Sequence, residues 1–358
     1  MSRASYFAPT YSENLSSGTV TWQSPSNIAL IKYWGKYGDQ LPKNASLSFT
    51  LNNCNSRTTL HFEEKNSPFF DFEVYKDGIR EQSFEPKVEQ FFVRIEPFLP
   101  FLRNFRFRIE TSNSFPHSSG IASSASGMSA LALCLMDMER QLAPEMEESF
   151  FLEKASFLAR LGSGSAARSI EGPMVVWGEH PEIPYSSNII GIKYPLGIHE
   201  VFHNFKDTIL LVDKGEKQVS SSVGHNLMLN HPFAEQRFVQ AQENMTKLIP
   251  ILSEGNLDAF IQIVESEALS LHAMMLTSMP YFILMKPNTL EIINRIWKYR
   301  QETRSHLCFT LDAGANVHLL YPADEAERVV LFIRNELAQF CKNGEFILDE
   351  MGYGARKL

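Results

Sequence analysis

The period of apolar and polar positions changes along the chain, and each change marks an element. Ser46-Leu-Ser-Phe-Thr-Leu51 alternates strictly, as does Thr58-Thr-Leu-His-Phe62, so both stretches predict half-buried strands. Val88, Phe91, Phe92, Ile95 and Leu99 recur at helical spacing, and Phe105-Arg-Phe-Arg-Ile-Glu-Thr111 returns to alternation. Before them, Lys76-Asp-Gly78 reads as a hairpin turn. Met128, Leu131, Ala132, Leu135, Met138 and Leu142 form one helical stripe, which Pro144 stops, and a second helix is expected over 148–161. Further on come a strand at 172–177, a buried strand at 207–213, and helices at 231–253, 256–273 and 287–301. A strand–turn–strand at 307–320 and a closing helix at 326–342 complete the pattern. Near the start, a strand from Thr19 is expected to end by Pro25, and residues 1–18 read as a flexible, loosely attached arm.

Mixed elements in 358 residues, 44% of them hydrophobic, predict an α/β (α+β) protein of enzyme size with one large core or two ordinary ones. Residues 178–205, rich in Pro, Gly, Asn and His, are the expected domain junction. A net charge of −8 argues against a general nucleic-acid binder but leaves room for a local cationic pocket. Cys54, Cys134, Cys308 and Cys341 show no metal-like spacing and read as buried thiols of a reducing compartment. No secretory signal pattern opens the chain, and no apolar run reaches the roughly 18–20 residues that span a bilayer, so a cytoplasmic location is expected.

Candidate chemistry concentrates in a few places. Residues 113–127 join glycines to Ser118, Ser119, Ser123, Ser124 and Ser126 just before the apolar helix. Such a turn suits a phosphate, through converging N–H groups and a helix N-terminus; the alternative is a small-residue turn packed on a helix. Lys32 and Lys36 sit in an otherwise apolar segment. A helical turn would put them on one face, where they repel unless an anion lies between; alternatively they are solvated and flank a Tyr33-Trp34 anchor. Arg168 follows a second Gly/Ser cluster and can fork onto a carboxylate or phosphate. Lys214 and Lys217 accompany three serines, and Asp312 opens a tight turn. His199-Glu-Val-Phe-His203 matches the zinc-protease pattern HExxH, but Pro195 and Gly197 just upstream speak against the long helix that motif needs.

Four of these stretches, in order, resemble the mevalonate diphosphate decarboxylases of the GHMP kinase superfamily. They are Asn27-Ile-Ala-Leu-Ile-Lys-Tyr-Trp-Gly-Lys36, Phe115-Pro116 with Gly120-Ile-Ala-Ser-Ser-Ala-Ser126, Gly162-Ser-Gly-Ser-Ala-Ala-Arg-Ser169, and Asp312-Ala-Gly-Ala-Asn316. The resemblance spans about residues 19–345. It implies a two-domain fold with an N-terminal ATP-binding domain at 19–200, a C-terminal domain at 201–358 and an active site in the cleft between them. It also implies a homodimer and ATP- and Mg²⁺-dependent decarboxylation of mevalonate 5-diphosphate, by transient 3-phosphorylation and elimination.

By motif, the resemblance makes Lys32, Arg168 and Asp312 the catalytic set, with Asp312 held ionised between two cations. It gives Tyr33 and Lys36 to the substrate diphosphate, Asn27 with Arg168 to its carboxylate, and Ser163 and Ser165 to the neighbourhood of the transferred phosphate. Lys87 is the candidate second basic contact. Ser118, Ser119, Gly120, Ala122, Ser123, Ser124 and Ser126 match the ATP phosphate loop, with Ser123 or Ser124 facing the metal, while Lys217 and Ser221 fall in a lid-like segment. Two departures stand out: Ala315 replaces the usual proline of the aspartate turn, and Pro116-His-Ser-Ser-Gly-Ile121 replaces the usual start of the phosphate loop. Competing expectations are a phosphomevalonate decarboxylase, a kinase that does not decarboxylate, a non-catalytic nucleotide-binding protein and a zinc hydrolase.

Overall fold

The first 64 residues give four strands, β1 (Ser17–Ile31), β2 (Lys36–Tyr37), β3 (Leu41–Pro42) and β4 (Ser46–Glu64), in a computed structural model that describes residues 3–116, 121–213 and 221–358. The strand expected to end near Pro25 instead runs on to Ile31, and the two expected segments of β4 are one strand. Both differences have one cause. Pairing jumps from Pro25↔Asn55 to Asn27↔Thr50, so the ladder passes the proline, which has no N–H to donate, at a bulge in β4. The bulge frees the N–H groups of Asn52, Asn53 and Cys54, and all three donate to the Asp349 carboxylate at 2.7–2.9 Å.

Next come β5 (Asp71–Lys76), β6 (Ile79–Arg80), α1 (Glu85–Ile95), β7 (Phe105–Asn113), α2 (Ser123–Leu142), α3 (Glu148–Gly162), β8 (Met174–Trp177) and β9 (Gly191–Lys193). The remainder supplies β10 (Lys206–Leu210), α4 (Ser221–Asn226), α5 (Ala234–Glu254), α6 (Leu257–Leu276), α7 (Pro287–Thr303), β11 (Cys308–Thr310), β12 (Val317–Tyr321), α8 (Ala326–Phe332), β13 (Phe346–Glu350) and β14 (Arg356–Lys357). The larger sheet has the order β14-β1-β4-β7-β5-β6, with β8 on β4 and β9 on β8; α2 and α3 bury their apolar faces against it. The smaller sheet, β11-β12-β10-β13, is antiparallel. An apolar cluster joins them, from Ile28, Leu47 and Phe49 through Phe202, Phe205 and Phe260 to Ile209. No described helix is long and apolar enough to cross a membrane.

The amino-terminal arm is not loose over its described part. Tyr6 is fully buried and stacks on Phe157 at 4.7 Å, Phe7 stacks on Phe98 at 5.1 Å, and the N–H groups of Ser12 and Glu13 donate to the Leu142 carbonyl. Removing the ring in Tyr6→Ala is expected to cost about 3 kcal/mol, as for other buried aromatics. Urea unfolding checks this; an unchanged midpoint would return the arm to the solvent.

Three features of the later chain complete the fold. The chain end crosses back, so that Trp22 pairs with Lys357, because β14 covers the open edge of β1. The closing helix is α only to Phe332, then widens to a π turn over Ile333–Leu337, which leaves both of those residues fully buried. Glu200–Phe202 of the HExxH stretch is a single 3-10 turn, with His199 Nδ1 accepting from the Val201 N–H, so the helix that motif requires is not formed.

Candidate active site

Strand pairing of β1 ends at Ile31, and the next four residues are irregular. Lys32 and Lys36 therefore do not share a helical turn, and the reason lies in Gly35. Its φ is +94°, and a Cβ there would stand 2.8 Å from the Phe238 ring. Lys32 turns inward, 2% exposed, and its Nζ donates to Asp312 Oδ1 at 2.9 Å. Lys36 points another way, to Gln40 Oε1 at 2.9 Å. Burial lowers the pKa of both ammonium groups; at Lys32 the Asp312 and Glu267 carboxylates oppose that fall.

Asp312 comes from the turn between β11 and β12, and its side chain keeps 26% exposure. The turn is held from three sides. Gly314 N–H and His272 Nε2 donate to the Asp312 carbonyl at 2.7 and 3.1 Å, Thr289 Oγ1 donates to the Ala315 carbonyl at 2.7 Å, and Asn316 Oδ1 accepts from the Asp213 N–H at 2.9 Å. The Thr289 hydroxyl, donating to the Ala315 carbonyl, supplies part of the restraint that a proline would give. Burial pushes the His272 pKa down to about 4, so its ring is a neutral donor at physiological pH.

Arg168 lies on the 3-10 turn Gly164–Ser169 and is 4% exposed. Its Nη1 donates to Ser46 Oγ at 2.5 Å, and Nε is buried with no hydrogen-bond partner among the described residues. Burial pulls its pKa to about 10, against the pull of Asp312, so the guanidinium is charged at neutral pH. Among the described residues no carboxylate comes within ion-pair distance of it. The Asp312 charge offsets part of the cost of burying this cation, and an anionic ligand in contact with it would offset more.

Lys32, Tyr33, Lys36, Arg168 and Asp312 line one cleft of about 740 Å³. Ser163 and Ser165 line it too, as do Lys87 on α1 and Ala122, Ser123 and Ser124 at the start of α2. Ala122 caps that helix in the left-handed region, φ 46°, and Ser124 Oγ lies 3.3 Å from Ser163 Oγ. The first turn of α2 leaves N–H groups unused by the helix, which suits phosphate oxygens.

Two expected residues are placed elsewhere. Asn27 lies behind the wall, its Nδ2 donating to Ser169 Oγ at 2.8 Å and the Ser165 carbonyl at 3.4 Å, so it braces the turn that carries Arg168. Ser126 faces the core, 2.7 Å from Ser56 Oγ, because it falls on the inner side of α2. Ser118, Ser119, Gly120 and Lys217 lie outside the described residues, as does the side chain of Ser221.

Sequence reasoning missed the support under Lys32. Glu267, fully buried on α6, accepts from Arg237 Nη1 at 3.0 Å and Nη2 at 2.5 Å, from Asn244 Nδ2 at 2.7 Å and from the Lys32 N–H at 2.8 Å. The signal was available, since Glu267 interrupts the apolar stripe Phe260, Val264, Leu271 at helical spacing. Glu267→Gln is expected to cost about 3 kcal/mol, the usual result of unbalancing a buried pair. Thermal unfolding reads it, and a shift near zero would show that Arg237 finds another partner.

Residues 24–187 match the family model described as the diphosphomevalonate decarboxylase-like N-terminal domain, and residues 208–351 match the mevalonate 5-diphosphate decarboxylase C-terminal domain. The diphosphomevalonate decarboxylase of Saccharomyces cerevisiae is 28% identical over 331 residues, covering 88% of this chain and 81% of its own. A mevalonate diphosphate decarboxylase structure from Legionella pneumophila is 29% identical, with a TM-score of 0.77 over 92% of this chain and 100% of its own. A structure described as MDDEF in complex with MVAPP, AMPPCP and magnesium is 25% identical, with a TM-score of 0.81 over 96% of this chain and 99% of its own.

Proposed function

We infer the activity from two premises: the chain belongs to the diphosphomevalonate decarboxylase family, and its cleft sets an Asp–Lys pair beside a buried arginine. It is an ATP-dependent decarboxylase that converts mevalonate 5-diphosphate to isopentenyl diphosphate, carbon dioxide, ADP and phosphate. The observation that carries the residue roles is the Lys32–Asp312 contact at 2.9 Å, with the charged Arg168 guanidinium in the same cleft.

Asp312 aligns the tertiary hydroxyl of the substrate and takes its proton as that oxygen accepts the γ-phosphoryl group of ATP. A weak base is enough, because the loose transition state depends more on position and charge than on basicity. Lys32 holds the carboxylate in place. The new phosphate ester then leaves with its bonding electrons, and the Asp312 carboxylate stabilises the positive charge developing on the tertiary carbon. Arg168 orients the substrate carboxylate, whose C–C bonding pair becomes the double bond as carbon dioxide departs.

Tyr33 and Lys36 bind the substrate diphosphate, and Ser163 and Ser165 the transferred group. The first turn of α2 binds the ATP phosphates through its N–H groups, with Ser123 and Ser124 hydroxyls beside them. Among the described residues no cluster of three His, Cys, Asp or Glu is suited to a metal. The donors present therefore fit a magnesium ion carried chiefly by the nucleotide, with one serine hydroxyl added. When bound beside Ser123 and Ser124, magnesium would supply charge neutralisation for the phosphates. Assembly as a homodimer and a cytoplasmic setting are supported by the family resemblance.

Specificity tests the reading. With Mg-ATP, kcat/KM for mevalonate 5-diphosphate is expected to exceed that for the 5-phosphate by about tenfold or more, the worth of one charge-assisted contact set. Isopentenyl diphosphate should appear by mass spectrometry. Turnover of the 5-phosphate alone would make the protein a phosphomevalonate decarboxylase.

A further inference from the structure

One buried side chain of the cleft has no part in the chemistry above. His225, on α4, is 8% exposed and lines the cavity. Its ring lies 4.2 Å from the Tyr33 ring centroid and 4.6 Å from that of Trp34. The Gly35 N–H donates to Nδ1 at 3.0 Å. With Nδ1 an acceptor, the proton of the neutral ring is on Nε2, and Nε2 makes no hydrogen bond to any described residue.

The seat of α4 is set by close packing. A Cβ at Gly224 would stand 2.6 Å from the Trp34 indole, so only glycine lets the helix lie on that ring. Burial, with the cations Lys36 and Arg168 nearby, pushes the His225 pKa down to about 3. The imidazole is thus a neutral donor in a cationic wall. It adds a hydrogen bond for an anion without adding a third charge that Lys36 and Arg168 would repel.

We propose that His225 is a further substrate-binding residue, whose Nε2–H donates to a phosphoryl oxygen of the substrate diphosphate beside Tyr33 and Lys36. The assignment rests on the diphosphate reading of the substrate. It gives α4 a direct stake in substrate affinity, and the Gly35 N–H fixes the tautomer that makes the donor.

Calorimetric titration with mevalonate 5-diphosphate, without nucleotide, reads binding apart from turnover. His225→Phe keeps a ring between Tyr33 and Trp34 but removes the donor; His225→Gln removes the ring but restores an N–H. The expected result is a Kd about tenfold or more higher in the Phe variant, as for loss of a hydrogen bond to a charged group, with recovery in the Gln variant. In turnover, the Phe variant should raise KM for the diphosphate and leave kcat within about threefold. Equal affinity of wild type and His225→Phe would overturn the proposal. So would equal weakening in both variants with lowered unfolding temperatures, which marks a packing role. A wild type that binds the diphosphate but does not turn it over would sink the activity reading and leave His225 standing; one that binds none would overturn both.

Discussion

Asp312→Asn is expected to lower kcat by about a thousandfold or more while changing nucleotide affinity less than about threefold. The amide keeps the shape of the side chain but can neither take the hydroxyl proton nor stabilise positive charge on the tertiary carbon. Two functions are lost together, so the effect exceeds that of a simple proton acceptor. Stability should fall as well, because Lys32 is 2% exposed and would be left buried without its carboxylate. A variant that retained a tenth of the wild-type rate would remove Asp312 from the chemistry.

Lys32→Met is the second large effect, and it differs from the first in an instructive way. It should lower kcat by about a hundredfold or more, since Asp312 loses the ammonium that fixes it in line with the hydroxyl. Stability, however, should stay within about 1 kcal/mol of wild type. The carboxylate left behind is 26% exposed and can be hydrated, while an apolar chain suits the pocket that desolvates the Lys32 ammonium. One partner of this ion pair is thus costly to strand and the other is not. Equal destabilisation by both substitutions, measured by thermal unfolding, would contradict the burial asymmetry. Full activity in Lys32→Met would contradict its role.

Local periodicity carried much of the fold. The alternation at 46–62 and 105–111, the stripe from Met128 to Leu142 and the turn at Asp77-Gly78 all became the elements they predict. What periodicity missed was set by contacts distant in sequence. Pro25 sits inside a strand because a bulge lies opposite it, and the freed N–H groups find Asp349 near the other end of the chain. Tyr6 is held by Phe157, whose nearness no local pattern shows.

The candidate site divides in the same way. Lys32, Arg168 and Asp312 stand out as charges in apolar or small-residue surroundings, and the family resemblance gives them an order of use. Their geometry was not legible: the turn after Ile31 is governed by Phe238 against Gly35, not by helical spacing. Matching a motif does not say which way a side chain faces: Asn27 bonds Ser169 and Ser126 bonds Ser56, outside the cleft lining. Glu267 was readable as a charge on a buried stripe, but its partners Arg237 and Asn244 come from another helix.

On the proposed roles, one cleft joins phosphoryl transfer to loss of carbon dioxide through Asp312, Lys32 and Arg168. The most direct test is a single incubation of the protein with Mg-ATP and mevalonate 5-diphosphate, following ADP and carbon dioxide together. Equal amounts of the two at every time point after the first turnover are the expected result. ADP formed without carbon dioxide would make the protein a kinase, and the absence of both would rule out the decarboxylase activity.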